Sequence, residues 1–418
     1  LLTGNALPDT HGSFNVKEAY AEVNVPILKD LPFANQLDLR AAGRISDYST
    51  IGSVKTWNIG GDWAPIPDIR FRATYAKAVR APNIGELFTG PSQTFPTGLI
   101  DPCAGVTLAS TGATAANCLA DPAVVANINA NGGVFTQSQA DKQGISGFTS
   151  GNPNLGPETS KSLTAGVVIN PRSIAPVLRN LVLSVDYFNY KITEAVAFPS
   201  RQNLLNQCYA QGNTAACAFI TRFQVPTGSS SVGALRFVNS AAINASVIKE
   251  SGIDTVLQYR TGLGWLMNGL SANARISWTH YLKGFVIELP GDTENPFVGE
   301  VGTSKDKANG TLTFSTAKWS ASVTGTYIGK AYEDDRFLDS VGLDHHAISV
   351  PAIFYTDAQI SFTPIKNYEF YVGVDNLMNT KAPNLLSSTT FNNTGADTAA
   401  AVYDIFGRRY YAGVRLKF

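Results

Sequence analysis

The sequence predicts an all-β fold, a transmembrane antiparallel β-barrel, on three observations. Hydrophobicity alternates with a period of two residues in about thirteen separate segments, the pattern of strands with one greasy face and one wet face. No stretch approaches the ~18 uninterrupted apolar residues that a spanning helix needs. A membrane crossing therefore falls to strands, which must close on themselves because hydrocarbon offers an open edge no hydrogen-bond partner. The chain of 418 residues is 44% hydrophobic and only 15% charged, against roughly 25% charged in soluble domains. Its 32 basic and 32 acidic residues cancel, so the balance points to no nucleic-acid partner and no polybasic membrane anchor.

The first segment, Phe14 to Val25, closes at Pro26 with a turn over Ile27 to Asn35. In the second, Leu37, Leu39, Ala41, Gly43 and Ile45 oppose Asp38, Arg40, Arg44 and Ser46. The third, Val54 to Trp63, turns through Pro65 to Asp68 into a fourth that sets Ile69, Phe71, Ala73 and Tyr75 against Arg70, Arg72 and Thr74. Residues 81–157 show no sustained period and read as a long excursion off the barrel. Alternation restarts at Leu163 to Ile169 and returns over Leu181 to Ile192, with Ser184 and Asp186 inward. A second large loop covers residues 195–232. A long irregular strand, Leu235 to Arg260, follows with a bulge expected at Asn244 to Ser246. The remaining segments are Leu270 to His280, Lys305 to Ser315, Trp319 to Tyr327, Ile353 to Phe362, Tyr368 to Val374 and Gly407 to Phe418. Aromatic residues near strand ends, Trp63, Tyr187, Trp278, Trp319 and Tyr327, suit the interfacial girdles of a barrel.

Cysteines fall in two close pairs, Cys103 with Cys118 and Cys208 with Cys217, each in a loop stretch rich in small polar residues. They read as two loop disulfides made in an oxidising compartment, since no histidine or cysteine cluster with zinc spacing accompanies them. The four histidines, His11, His280, His345 and His346, sit in no zinc or triad motif, so the sequence predicts no enzyme and no cofactor. Asp334, Asp335, His345 and His346 in one loop form a candidate ligand or metal cluster, set against the commoner reading of a solvated loop surface. The start, Leu1 to Asn5, lacks the features of a signal peptide, and the chain is expected to begin part-way through a longer protein.

Several stretches carry a family resemblance. They are Arg72 to Phe88 (RATYAKAVRAPNIGELF), Asn154 to Glu158 (NLGPE), Val185 to Phe188, Val374 to Asn379 (VDNLMN), Pro383, Tyr403-Asp404, and Gly407 to Tyr410 running on to a terminal Phe418. Together they resemble TonB-dependent outer-membrane receptors. The resemblance implies that residues 1–418 are about 13 C-terminal strands of a 22-stranded barrel. It also places short turns on the periplasmic side and long loops, 81–157 and 195–232 among them, outside the cell. The N-terminal plug and first strands would then lie on a missing N-terminal half or second chain, in keeping with an odd strand count that cannot close alone.

The inward set is Arg40, Arg44, Arg70, Arg72, Asp186, Arg275, Glu369, Asp375, Arg409 and Arg415, fit for a polar lumen or for pairing with a plug. Loop aromatics Phe88, Phe95, Phe135 and Tyr209 are candidates to stack on a ligand, and Phe418 is the expected signal to the barrel-assembly machinery. The implied function is active import of a scarce nutrient across the bacterial outer membrane, in contact with its lipid and powered through the TonB complex. The Asp101-Pro102-Cys103 loop is similar to loops of receptors for oligosaccharides or other complex organic nutrients. The alternatives are a ferric-siderophore ligand and, from another class, a passive porin or structural barrel.

Overall fold

A computed structural model describes residues 8–416, apart from 97, 174, 387–388, 391 and 393–396; Phe418 and Leu1 to Asn5 lie outside the described residues. Apart from the two-residue strand Asn295–Pro296, which pairs off the path, thirteen antiparallel strands run in simple chain order through one sheet. They are β1 Val16–Leu31, β2 Ala34–Tyr48, β3 Gly52–Ile66, β4 Ile69–Arg80, β5 Glu158–Ile169, β6 Leu181–Ala197 and β7 Ile243–Gly262, then β8 Ser271–Ile287, β9 Asp306–Ser315, β10 Trp319–Ile328, β11 Ile353–Ile365, β12 Tyr368–Asp375 and β13 Arg409–Leu416. The sheet stays open, with β1 and β13 as its two edges.

Pro26, expected to close the first strand, does not, and a second strand also runs through a proline. β1 runs through Pro26 to Leu31, with a register irregularity at Pro26 to Leu28, and the turn shrinks to residues 32–33. The irregularity accommodates a residue with no N–H, since prolines inside strands sit at bulges. Pro364 likewise lies inside β11, within a second irregularity between Phe362 and Ile365. The expected Leu235 to Arg260 strand breaks in two. Leu235–Val238 pairs with Ile220–Arg222 in a loop sheet, and β7 starts at Ile243 with register shifts at Asn244 to Ile248.

Cross-strand register puts side chains of directly opposed residues on the same side of a sheet. Followed across the strands, the pairings Asp38 to Asp62, Asp62 to Arg72, Arg72 to Gly166 and Gly166 to Asp186 define one ionic face. Glu369 to Arg415 and Asp375 to Arg409 belong to the same face at the far end. The opposite face is apolar and open: Phe354, Ile360, Phe362, Val372 and Val414 are about half exposed. Such a continuous apolar surface exceeds what a water-soluble monomer carries. On β10, Trp319 and Tyr327 lie eight residues apart and stand opposite Phe362 and Phe354 of β11. At ~3.3 Å per residue and a ~40° tilt these two aromatic rows are roughly 20 Å apart, close to the height of a barrel's apolar band.

The last hairpin shows why small residues recur on the ionic face. Gly373 pairs with Tyr411 and Gly413 with Tyr371, and a side chain at either glycine would overlap the opposing tyrosine ring. The VDNLMN motif makes the turn that follows β12. Asn376 and Asn379 both take positive φ, and the buried Asn376 donates to the Thr380 carbonyl at 2.9 Å and accepts from the Thr380 N–H at 2.7 Å. Asn379 in turn accepts from the Arg408 N–H at 3.1 Å, which ties the start of the final loop to its end.

Candidate functional site

Connections 81–157, 198–242, 288–305, 329–352 and 376–408 all leave from one edge of the sheet, and those at the other edge are shorter, from 32–33 to 170–180. One short connection, 49–51, departs from the expected division by lying on the long-loop edge.

The two longest connections fold together as a cap. Short helices, which the sequence reading did not anticipate, start at recognisable caps. Asp121 accepts from the Ala123 N–H with Pro122 first in helix Pro122–Ala130, and Ser200 caps Arg201–Tyr209. Val124, Ile128, Phe135, Leu204, Leu205, Leu235 and Val238 form the cap's interior. Cys103 is bonded to Cys118 and Cys208 to Cys217. Each disulfide lies within one connection, so neither joins the two.

The two are joined by backbone bonds such as that from the Val238 N–H to the Ser146 carbonyl, by Asn127 and Asp141 bonding Val232 and Ser231, and by the buried Arg222. Its Nη1 and Nη2 donate to the two carboxylate oxygens of Asp101 at 2.6 and 2.7 Å, Nη1 also to the Gly233 carbonyl at 2.7 Å, and Nε to the Tyr209 hydroxyl at 2.7 Å. The guanidinium also faces the rings of Tyr209 and Phe135, at 4.7 and 5.5 Å. Both Arg222 and Asp101 side chains are 1% exposed. Burial alone would depress the guanidinium pKa, but the bonds to Asp101 and the Tyr209 contact hold it above its ordinary value. Burial pushes the Tyr209 phenol up.

The cap is seated by residues of the quoted motifs. Arg80 at the end of β4 forks between Glu86, at 2.9 Å, and Glu158 at the start of β5, at 2.6 Å. Glu86 closes a capping box with Asn83, and Glu158 also accepts from the Val196 N–H at 2.7 Å. Asn244, in the bulge, donates to the carbonyls of Gly156 and Glu194 and accepts from the Gly156 N–H.

A cavity of about 470 Å³ lies between connections 288–305 and 329–352, lined by Glu300, Glu333, Asp335, Lys330, Tyr332 and His346 among others. The N–H of Val301 bonds the Tyr332 carbonyl and the N–H of Tyr332 the Gly299 carbonyl, which sets Glu300 beside Glu333. Glu333 is fully buried and accepts from the Thr390 N–H, but its second oxygen, Glu300 Oε1 and Asp335 Oδ1 have no hydrogen-bond partner among the described residues. Burial, then the Asp334 and Asp335 charges, push the Glu300 pKa up to about 8. Burial beside further carboxylates thus favours the protonated form of Glu300.

The loop residues singled out from the sequence take different roles in the structure. Asp334 caps helix Asp335–Ser340. His345 faces Asp339 and Asp335 at 3.0 and 3.5 Å, whereas His346 stacks on the Tyr332 ring at 4.0 Å. Among the described residues no three His, Cys, Asp or Glu side chains converge as metal ligands. Phe135 and Tyr209 are in the cap core and Phe88 packs beside Leu87 and Leu155, while Phe95 is exposed. On the ionic face Arg40 and Arg70 pair with Asp62, Arg44 with Glu18, Arg72 with Asp186, Arg409 with Asp375 and Arg415 with Glu369. Arg275, opposite Gln258 and Thr311, shares the face. Arg222, Glu300 and Glu333 were not singled out from the sequence, because an isolated charge in a loop without period carries no signal. Arg80, Glu86 and Glu158 lay inside the quoted motifs.

A family model described as the TonB dependent receptor-like β-barrel matches residues 2–377. Among solved structures, the fold is similar to that of a mutant of the ferric enterobactin receptor PfeA from Pseudomonas aeruginosa. That match has a TM-score of 0.57 at 17% identity and covers 97% of this chain and 45% of that one. It is also similar to the siderophore receptor PirA from Acinetobacter baumannii, with a TM-score of 0.56 at 14% identity over 97% and 46% of the two chains. The FrpB iron transporter from Neisseria meningitidis gives a TM-score of 0.54 at 14% identity over 97% and 45%. The chain spans less than half the length of each of these structures.

Proposed function

Since this chain belongs to the TonB-dependent receptor β-barrel family, we propose that it forms the C-terminal part of an outer-membrane receptor that captures a scarce nutrient and imports it with energy supplied through the TonB complex. One observation carries the reading. Every long connection rises from one edge of the sheet, and the two longest are welded into a folded cap, while the other edge carries shorter connections. In this reading the long-loop edge faces outward from the cell and the ionic face lines a lumen. The open edges β1 and β13 meet further strands, and a plug pairs with the inward arginines and carboxylates. A hydrocarbon-spanning sheet must close, which supports the further strands.

The ligand proposed from the Asp101-Pro102-Cys103 loop is an oligosaccharide or similar complex organic nutrient. A second reading, a ferric siderophore, takes its ligand from what the solved neighbours' names say they bind. With Phe135 and Tyr209 inside the cap, the aromatic support for a sugar is reduced to Phe95 and Phe88. Calorimetric titration of the whole purified receptor against a panel of oligosaccharides and ferric siderophores tests both. Saturable binding of a ferric chelate alone overturns the sugar reading, and binding of neither class overturns both.

A further inference from the structure

We propose that the apolar face carries a binding site for phosphorylated lipid headgroups, built from Lys77, Lys161, Lys191 and Lys249. The register places these four residues, from the neighbouring strands β4, β5, β6 and β7, directly opposite one another: Lys77 to Lys161, Lys161 to Lys191 and Lys191 to Lys249. At ~4.8 Å between strands the row spans roughly 14 Å. Like charges directly opposed across strands destabilise a sheet, so four in line call for an outside anion.

The sheet supplies none on that face. The rung beyond the row holds Val79, Thr159 and Thr193, and the rung inside it Tyr75, Leu163, Asn189 and Ser251. No lysine of the four is in an ion pair among the described residues. On the opposite face, by contrast, Arg40, Arg44, Arg72, Arg409 and Arg415 meet carboxylates on nearby strands.

Position selects a lipid over a soluble anion. All four lysines sit toward the long-loop end of their strands, about two residues, or ~7 Å, outside the last apolar rung. Trp57 ends the row on β3 and packs edge-on against Tyr75 at 5.5 Å; Phe285 ends it on β8. An amphiphile can therefore lay acyl chains against Phe71, Tyr75 and Leu163 while its phosphates meet the ammonium groups, whereas a soluble phosphate gains only the second contact. Lysine, a compact cation on a flexible stem, suits phosphate contact without demanding one geometry. The inference rests on the apolar face being the lipid-facing one.

The test uses the whole receptor in nanodiscs and compares diphosphorylated lipid A with the same lipid stripped of phosphate, read by native mass spectrometry. Wild type should retain the phosphorylated lipid through delipidation. K77Q/K161Q/K191Q/K249Q should lose at least roughly tenfold in retention, since each basic residue near an anionic surface is worth a factor of about five. The corresponding four-arginine variant should retain it. Equal retention by wild type and the glutamine variant, or equal retention of the dephosphorylated lipid, overturns the proposal, as does competition by free pyrophosphate at matched phosphate concentration. If the fourfold variant does not fold, K161Q/K191Q, at the two exposed positions, is read by the same criteria. Nutrient titration on these variants keeps the two readings apart. Lost nutrient binding with lipid retained bears on the receptor function alone.

Discussion

Replacing Arg222 by methionine should open the cap and leave the sheet standing. The substitution keeps much of the side-chain volume but strands Asp101, a carboxylate 1% exposed, without the fork that holds both its oxygens. Removing one partner of a buried ion pair costs about 3–5 kcal/mol. At 3 kcal/mol the opening equilibrium of the cap shifts roughly 150-fold. Hydrogen exchange of the whole receptor reads this directly. Amides in Pro122–Ala130 and Arg201–Tyr209 should lose about two orders of magnitude in protection, while amides of β9 to β13 keep theirs. Asp101→Asn added to Arg222→Met should recover part of the loss, because it removes the stranded charge. Protection of both helices within a factor of three of wild type would refute the claim that this pair joins the two connections. Equal loss in β9 to β13 would refute the claim that the cap is a unit of its own.

Glu300 predicts a pH response outside the spanning segments. Its folded pKa, about 8, lies above the ordinary carboxylate value. The stability it lends is present below the ordinary range and lost as pH rises through 8, by at most about 5 kcal/mol at full ionisation. Exchange of residues 288–305 should therefore quicken between pH 7 and 9 in wild type relative to Glu300→Gln at the same pH, and parallel curves would contradict it. The two disulfides, and above all Cys103–Cys118 with both sulfurs buried, should resist reductant until the cap opens. Arg222→Met should accordingly speed their reduction, measured by alkylation and mass shift. Once they are cut, each closed loop loses about 3 kcal/mol of restraint. Gly413→Val, which drives a side chain into the Tyr371 ring, should cost the sheet about 1–3 kcal/mol, seen as a lower urea midpoint; an unchanged midpoint would show that Tyr371 swings clear.

The sheet was legible because a two-sided environment writes itself into every second residue. Each of the thirteen segments read from alternation contains a strand of the sheet, although the first part of Leu235 to Arg260 pairs within a loop instead, and even the bulge at Asn244 to Ser246 showed as a fault in the rhythm. Strand ends were read less well. Pro26 and Pro364 look like stops to local rules, and only the register irregularities that hold them explain why they are not. The cap was the opaque part. Its helices run to only a few residues, too short for a period to emerge, and Arg222 meets Asp101 from 121 positions away. The Asp334, Asp335, His345 and His346 cluster was visible because its members adjoin in sequence. The carboxylates that give the cavity its character, Glu300 and Glu333, come from different connections and meet only through the backbone bonds of Val301 and Tyr332.

The three-residue connection 49–51 reaches about 10 Å at most and cannot stand over its own strands. What lies at that end of the sheet is the run that leads into β1, where Gly12 and Pro8 come up against Phe88 and Gly90 of connection 81–157. A side chain at Gly12 or Gly90 would collide there, so the approach to the first strand and the departure from the fourth are fitted to each other, and a bulky residue at either glycine would prise them apart.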